Sequence, residues 1–308
     1  MAKSVALTLA GAAVLICSTA AFAADLLPPP PRLEPLPPAE SNDFGGWYLR
    51  GDIGVGSNMS TGFATSPDAL STGQASGFLS GNASEGYFNP TVSESVIGDV
   101  GVGYRFNSFL RMDVTGELRG GAGFQGMEVV NDPTHFDGTS RQWADFYRAN
   151  VSSYIGMVNA YADLGTWAGV TPYVGAGLGV AYNRISGATD NGSAAIAGSP
   201  TSATGGYLDN GGQANLAWAL MTGLDFNVSH NLKLELGYRY LSYGSVKSGS
   251  AHCLSGDPLT YGTFNCTPTY NLTVNKLASN DFRVGLIWSL DPGTYAPAPS
   301  YMPLVRKY

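Results

Sequence analysis

Charge is scarce in this sequence, and basic charge scarcest. Charged residues are 13% of 308, with 16 Lys and Arg against 23 Asp and Glu and a formal net charge of −7. Nucleic acid needs a basic stripe to bind its phosphates, so this balance excludes it as a partner. Histidine is nearly absent, at 3 residues, and no Gly-x-Ser-x-Gly occurs. Those gaps remove most routes to a nucleophile activated by a neighbouring base. No enzyme activity, cofactor or metal is expected. Cysteine is limited to 3 residues. Cys17 follows Ile16, whereas a lipidated Cys follows a small residue, so it is expected to leave with the leader. Cys253 and Cys266 remain. In an oxidising compartment such a close pair most simply forms one disulfide, with two free thiols as the alternative. Zinc is disfavoured, because His252 is the one classical ligand nearby. Beyond the N-terminus, no apolar run approaches the roughly 20 residues that a membrane helix needs.

What is present is ordered along the chain. Lys3 precedes an apolar stretch from Val5 to Ile16, and Ala21-Phe22-Ala23 follows as a small-x-small signal. Residues 1–23 read as a secretory signal peptide, leaving Ala24-Asp25 as the mature start. Residues 24–45 are a Pro-rich spacer, stiff and extended. Residues 291–308 form a second Pro-rich segment, a tail. Hydrophobic residues are 44% of the chain and Gly numbers 41, a β-rich composition, not a disordered one.

Between the two Pro-rich ends, from 46 to 290, apolar and polar residues alternate with a period of two in eight segments. In the first, Trp47, Leu49, Ile53 and Val55 oppose Tyr48, Arg50 and Asp52. Long connections near 57–93, 120–150, 184–212 and 244–278 alternate with short turns at Asn107-Ser108, Gly165–Gly169 and Ser229–Asn231. An all-β, eight-stranded antiparallel up-and-down barrel in a bacterial outer membrane has this asymmetry, with long outer loops and short periplasmic turns, and it puts both termini in the periplasm. Charge on the lipid side costs about 2–4 kcal/mol near the midplane, so the charged parity is expected inside. The inward acids are then Asp52, Asp99, Asp113, Glu117, Asp163, Asp225, Glu235 and Asp281. The inward bases are Arg50, Arg105, Arg111, Arg119, Lys233, Arg239 and Arg283. A barrel of this size is only wide enough for side chains to fill, so a salt-bridged plug is expected. Trp47, Tyr104, Phe106, Tyr154 and Trp288 are candidate members of interfacial aromatic girdles. Gly175, Gly177 and Gly179 fall on the inner parity, where they make room for neighbours such as Tyr161.

The segments Gly46-Trp47-Tyr48-Leu49-Arg50-Gly51-Asp52, Gly101-Val102-Gly103-Tyr104-Arg105-Phe106 and Leu236-Gly237-Tyr238-Arg239-Tyr240 resemble the small outer-membrane β-barrel proteins of alphaproteobacteria, OmpA-like in barrel size. The resemblance covers about 46–290 and is weak in the long connections. It implies outer-membrane lipids, lipopolysaccharide and the barrel-assembly machinery as partners. The machinery reads a last-strand signal, polar-x-Gly-x-x-aromatic-x-hydrophobic, which Arg283, Gly285, Trp288 and Leu290 match. In most such proteins that strand ends the chain, whereas here a tail runs on to Tyr308. The resemblance also implies that an Ala24-Asp25 start can be joined through its amine to peptidoglycan, or can be simply what signal peptidase tolerates. The resulting expectation is a structural barrel that supports envelope integrity. The alternatives are a surface adhesin or ligand-binding barrel acting through its outer loops, and a narrow porin.

Overall fold

The computed structural model describes residues 46–75, 79–253 and 269–290. The leader, Ala24, Asp25, Cys266, the side chain of Cys253 and the Pro-rich tail lie outside the described residues.

Period-two alternation carries nearly the whole described chain into strands. These are β1 (Gly46–Met59), β2 (Gly62–Ser66), β3 (Ser84–Val92), β4 (Ser95–Arg105), β5 (Leu110–Asp132) and β6 (Arg141–Asp163). They continue with β7 (Val170–Ile196), β8 (Ser202–Leu208), β9 (Gly211–Asn227), β10 (Leu232–Lys247), β11 (Ala251–Cys253) and β12 (Asn271–Ser289). One short helix, α1 (Ala69–Ala75), sits between β2 and β3. Eight strands close a ring in the order β1-β4-β5-β6-β7-β9-β10-β12, every pairing antiparallel. Closure through the β1–β12 pairing, from Tyr48 against Ser289 to Met59 against Ala278, leaves no open edge at that level. That is what hydrocarbon demands of a sheet, since an open edge would strand unpaired N–H and C=O groups.

Three tight connections gather at one end. In the first, Asn107 Oδ1 accepts hydrogen bonds from the Phe109 and Leu110 amides at 3.0 and 2.8 Å, an Asx arrangement that reverses the chain in few residues. The others lie between Asp163 and Val170 and between Asn227 and Leu232. The long connections lie at the opposite end, as expected, and much of their length is itself strand. β5 and β6 have 23 residues each and β7 has 27, where about 9–11 suffice to cross a bilayer. The barrel wall therefore continues as a β-structured extension, flanked by β2, β3, β8 and β11.

The extension has the opposite parity from the barrel on several strands. On β5, odd positions from Arg111 to Arg119 point inward; above Gly121, even positions from Ala122 to Asp132 do. On β7 the switch comes at Gly187, and on β10 at Gly244. Each coincides with a register shift and a glycine at positive φ, of 81°, 59° and 90° respectively. An extra residue in the left-handed region is what a β-bulge uses to re-aim the side chains that follow.

The outer surface around the ring is apolar. Ile53, Val96, Val100, Leu118, Leu178, Leu216 and Phe282 are among the large side chains it leaves exposed. A continuous band of this kind marks a surface made for an apolar partner. Trp47, Tyr104 and Phe106 stack edge-to-face at the short-turn rim, with centroids 5.4 and 5.1 Å apart. At the other rim Trp218 packs on Tyr240 and Tyr238 on Phe282. On the inner wall, a Cβ at Gly175 would meet Tyr161 Cδ1 at 2.6 Å, as its parity suggested. A Cβ at Gly179 would strike the Gly156 carbonyl oxygen and come within 2.8 Å of Met157 Cα. Those are backbone atoms of the paired strand and cannot swing aside. Gly179→Ala is expected to destabilise the barrel by about 1–3 kcal/mol, the range for overpacking, read as a lowered urea midpoint in detergent micelles.

Candidate functional site

The interior of the ring is the feature that could act on anything passing through it, and it is built from the inward parity of all eight strands. Every predicted inward acid and every predicted inward arginine is buried. Their short-range contacts form two clusters.

Nearer the short-turn end, Arg50 on β1 forms ion pairs with Asp52 at 2.9 Å, Asp113 at 3.0 Å and Glu235 at 2.8 Å. Its guanidinium also donates to Tyr161 Oη at 2.8 Å. Arg111 contacts Asp163 at 3.1 Å, Asp225 at 3.2 Å and Glu235 at 3.5 Å. Its charge lies over the rings of Tyr161 and Tyr173, 4.6 and 4.9 Å from their centroids. Arg105 reaches Asp163 at 2.8 Å, and Arg283 joins Asp52 at 3.0 Å to Asp99 at 2.5 Å. Farther from the short-turn end, Arg119 and Arg239 share Asp281, each at 2.7 Å, and both contact Glu117. Asn58, Ser95 and Ser279 complete the Arg119 shell.

The pairing follows from electrostatics. An isolated ion in a dry interior costs several kcal/mol, which only close opposite charges and hydrogen bonds offset. In this interior every one of these arginines has a close carboxylate, and all but Arg105 draw their ion-pair partners from more than one strand. Arg50 alone ties β1 to β5, β6 and β10. The arginines thus fix strand register as well as occupying the lumen.

Above the ionic layers the lumen is apolar. Phe63, Phe124, Tyr147, Ile185, Leu208, Leu272 and Val274 pack into one buried cluster, with Phe63 edge-on to Phe124, Tyr87 and Tyr147. Sequence reasoning missed this second storey. Its signal was present as alternating apolar residues in 120–150 and 184–212, displaced by one at the glycine bulges.

The last-strand residues occupy definite places. Arg283 and Gly285 face inward, and a side chain at Gly285 would collide with the Asp52 carboxylate. Trp288 and Leu290 face outward on the apolar band. Of the histidines, His135 Nδ1 lies 3.1 Å from Asp132, whose carboxylate also accepts from the Ser80 hydroxyl and amide. That order puts the acid between Ser and His and ties the chain after α1 to the end of β5. His252 stacks on Tyr207 at 4.7 Å and contacts Asp209 at 2.9 Å where β11 pairs with β8. The Cys253–Cys266 pairing and the Ala24-Asp25 start lie outside the described residues.

No protein-family model matches the chain. It is 34% identical over 270 residues to an uncharacterized protein of Brucella abortus, covering 78% of this chain and 82% of that protein. It is 25% identical over 199 residues to the outer membrane protein PagN of Salmonella typhimurium, covering 62% of this chain and 72% of PagN. Among solved structures, Neisserial surface protein A aligns with 79% of this chain and 97% of its own, at 16% identity and a TM-score of 0.38. OprG from Pseudomonas aeruginosa aligns with 80% of this chain and 96% of its own, at 14% identity and a TM-score of 0.39.

Proposed function

The chain belongs to the family of small outer-membrane β-barrel proteins, and on that premise we propose that it is a non-enzymatic structural element of the bacterial envelope. The observation that carries this reading is the filled interior. Arginine–carboxylate clusters span the lumen at the height of the apolar band, and an apolar storey lies above them. A barrel so filled supplies a rigid membrane anchor in place of a route for solutes. In this reading lipids and lipopolysaccharide surround the band, and the barrel-assembly machinery reads Arg283, Gly285, Trp288 and Leu290.

The reading extends to the cell wall. Both ends of the ring emerge at the short-turn rim, which would face the periplasm. The Pro-rich segment of residues 24–45 is long enough to reach tens of ångströms from it. The Ala24 amine is then the attachment point to peptidoglycan. Muramidase digestion of purified sacculi, followed by mass spectrometry, is expected to release the protein with a muropeptide on Ala24. A mature chain that starts at Asp25, or is recovered wholly free, removes the tether. A deletion strain is expected to lose resistance to detergent and EDTA; unchanged resistance contradicts the structural role itself.

A second reading, attachment to an external ligand, is favoured by the extension. It is β-structured, and Phe88, Phe136 and Phe146 are exposed on it; binding residues are commonly carried in this way on a rigid scaffold. Replacing Phe136 and Phe146 by serine would abolish surface binding while sparing envelope resistance if this reading holds.

A further inference from the structure

The top of the extension holds acids without bases. Glu85 on β3, Glu128 on β5, Asp145 on β6 and Asp190 on β7 all face the lumen above the apolar storey. Glu128 is 1% exposed, and the register sets it directly across from Asp145. Glu128, Asp145 and Asp190 are 18 or more residues from the short-turn ends of their strands, at Leu110, Asp163 and Val170, well beyond the roughly 9–11 that span the bilayer, and Glu85 pairs at the same height, opposite Val130.

Among the described residues, the groups that meet the four carboxyls are hydroxyls, amides and other acids. Tyr147 Oη donates to Glu128 Oε2 at 2.8 Å, and Tyr87 Oη donates to Glu85 at 2.5 Å. Tyr270 donates to Asp190, Thr204 Oγ1 to Asp145 at 3.3 Å, and the Leu70 amide to Glu85 at 3.0 Å. Thr65 on β2 bonds the Tyr87 hydroxyl in turn. No Lys or Arg of the described residues ion-pairs with any of the four, whereas every carboxylate of the lower clusters has one. Glu128 Oε1 and Asp190 Oδ1 are buried with no hydrogen-bond partner. Like charges directly opposite on paired strands repel, and ionising several such groups together in a desolvated layer is costlier still.

We propose that this layer is a proton-operated latch on the extension: with its carboxyls neutral, β3, β5, β6 and β7 stay packed over the apolar storey, and with them ionised the layer loosens. Its titration range follows from burial. Desolvation first, and then the neighbouring Glu85 carboxyl, pushes Glu128 up to about 9. Desolvation and the nearby Asp190 push Asp145 up to about 7, and burial raises Asp190 as well. A carboxyl raised in the folded state weakens that state as pH climbs from its unfolded value, about 4, through its folded one. The latch is therefore tight in acid and is released between mildly acidic and alkaline pH.

The test is amide hydrogen exchange on the full-length barrel in detergent micelles at pH 5.5 and 8.5, corrected for the intrinsic rate. Protection of segments 124–132 and 143–149 is expected to fall by about tenfold or more at the higher pH, because a carboxyl that binds its proton about tenfold more tightly when packed transfers that factor to the opening equilibrium once it ionises. Segment 111–119, in the lower clusters, is expected to hold. Glu128→Gln combined with Asp145→Asn, which mimics the protonated pair, is expected to remove the difference. Equal protection at both pH values in the wild type overturns the latch, and so does a double variant that keeps the full response. Glu128→Gln alone is expected to shrink the response, and an unchanged response overturns the proposal even if the double variant fails to fold.

Discussion

Arg50→Met is expected to destabilise the barrel by about 3–5 kcal/mol, the cost of breaking a buried ion pair by removing one partner. Methionine keeps most of the side-chain volume and loses the charge and all five donors. Asp52, Asp113 and Glu235 would then share a desolvated layer with one fewer cation, and Tyr161 Oη would lose its donor. The stranded acids are what make the loss large; the net contribution of the intact pairs is much smaller. The measurement is reversible urea unfolding in detergent micelles, followed by tryptophan fluorescence. Combining Arg50→Met with Glu235→Gln is expected to recover part of the loss, because one stranded charge goes too. A double variant as unstable as the sum of the two singles would deny the coupling.

Val100→Arg is the second large effect, expected at about 2–4 kcal/mol in lipid vesicles, the midplane value for a cation on a barrel's lipid face. Val100 is 70% exposed and pairs with Gly51, halfway between the Trp47 rim and the Val55 level. Phe146→Arg makes the control. Phe146 is 50% exposed on the same outer surface but on the extension, where the surroundings are water and the change is expected to cost at most about 0.5 kcal/mol, as at ordinary surface positions. Equal costs at the two sites would place the membrane boundary wrongly.

The ring was legible because lipid and a packed lumen impose opposite chemistry on adjacent residues. Arg50 and Asp52 lie between Leu49 and Ile53, and only one facing satisfies both sets. A register slip of one residue would exchange them, so the pattern is strongly written wherever one side is lipid. The inner-wall role of Gly175 was readable for the same reason, since parity placed it beside Tyr161. The extension was less legible. Above Gly121, Gly187 and Gly244 the outer side is water, so Gln125, Asn191 and Ser193 replace the aliphatic face. The bulges also move the inward positions by one, and a single parity followed along β5 puts Glu128 and Phe124 on the wrong side. Partner choice was not legible at all. That Arg283 would meet Asp99 and Asp52, and Arg111 would meet Asp225, depends on the shear that brings distant strands together, which no local spacing encodes.

The central claim is that the lumen is filled. Planar-bilayer recording of the refolded full-length protein tests it most directly. The ion-paired layers and the apolar storey above them predict a baseline without unitary steps across the usual voltage range. Reproducible stepwise channels from the wild-type protein would contradict the filled barrel and move the protein to the porins.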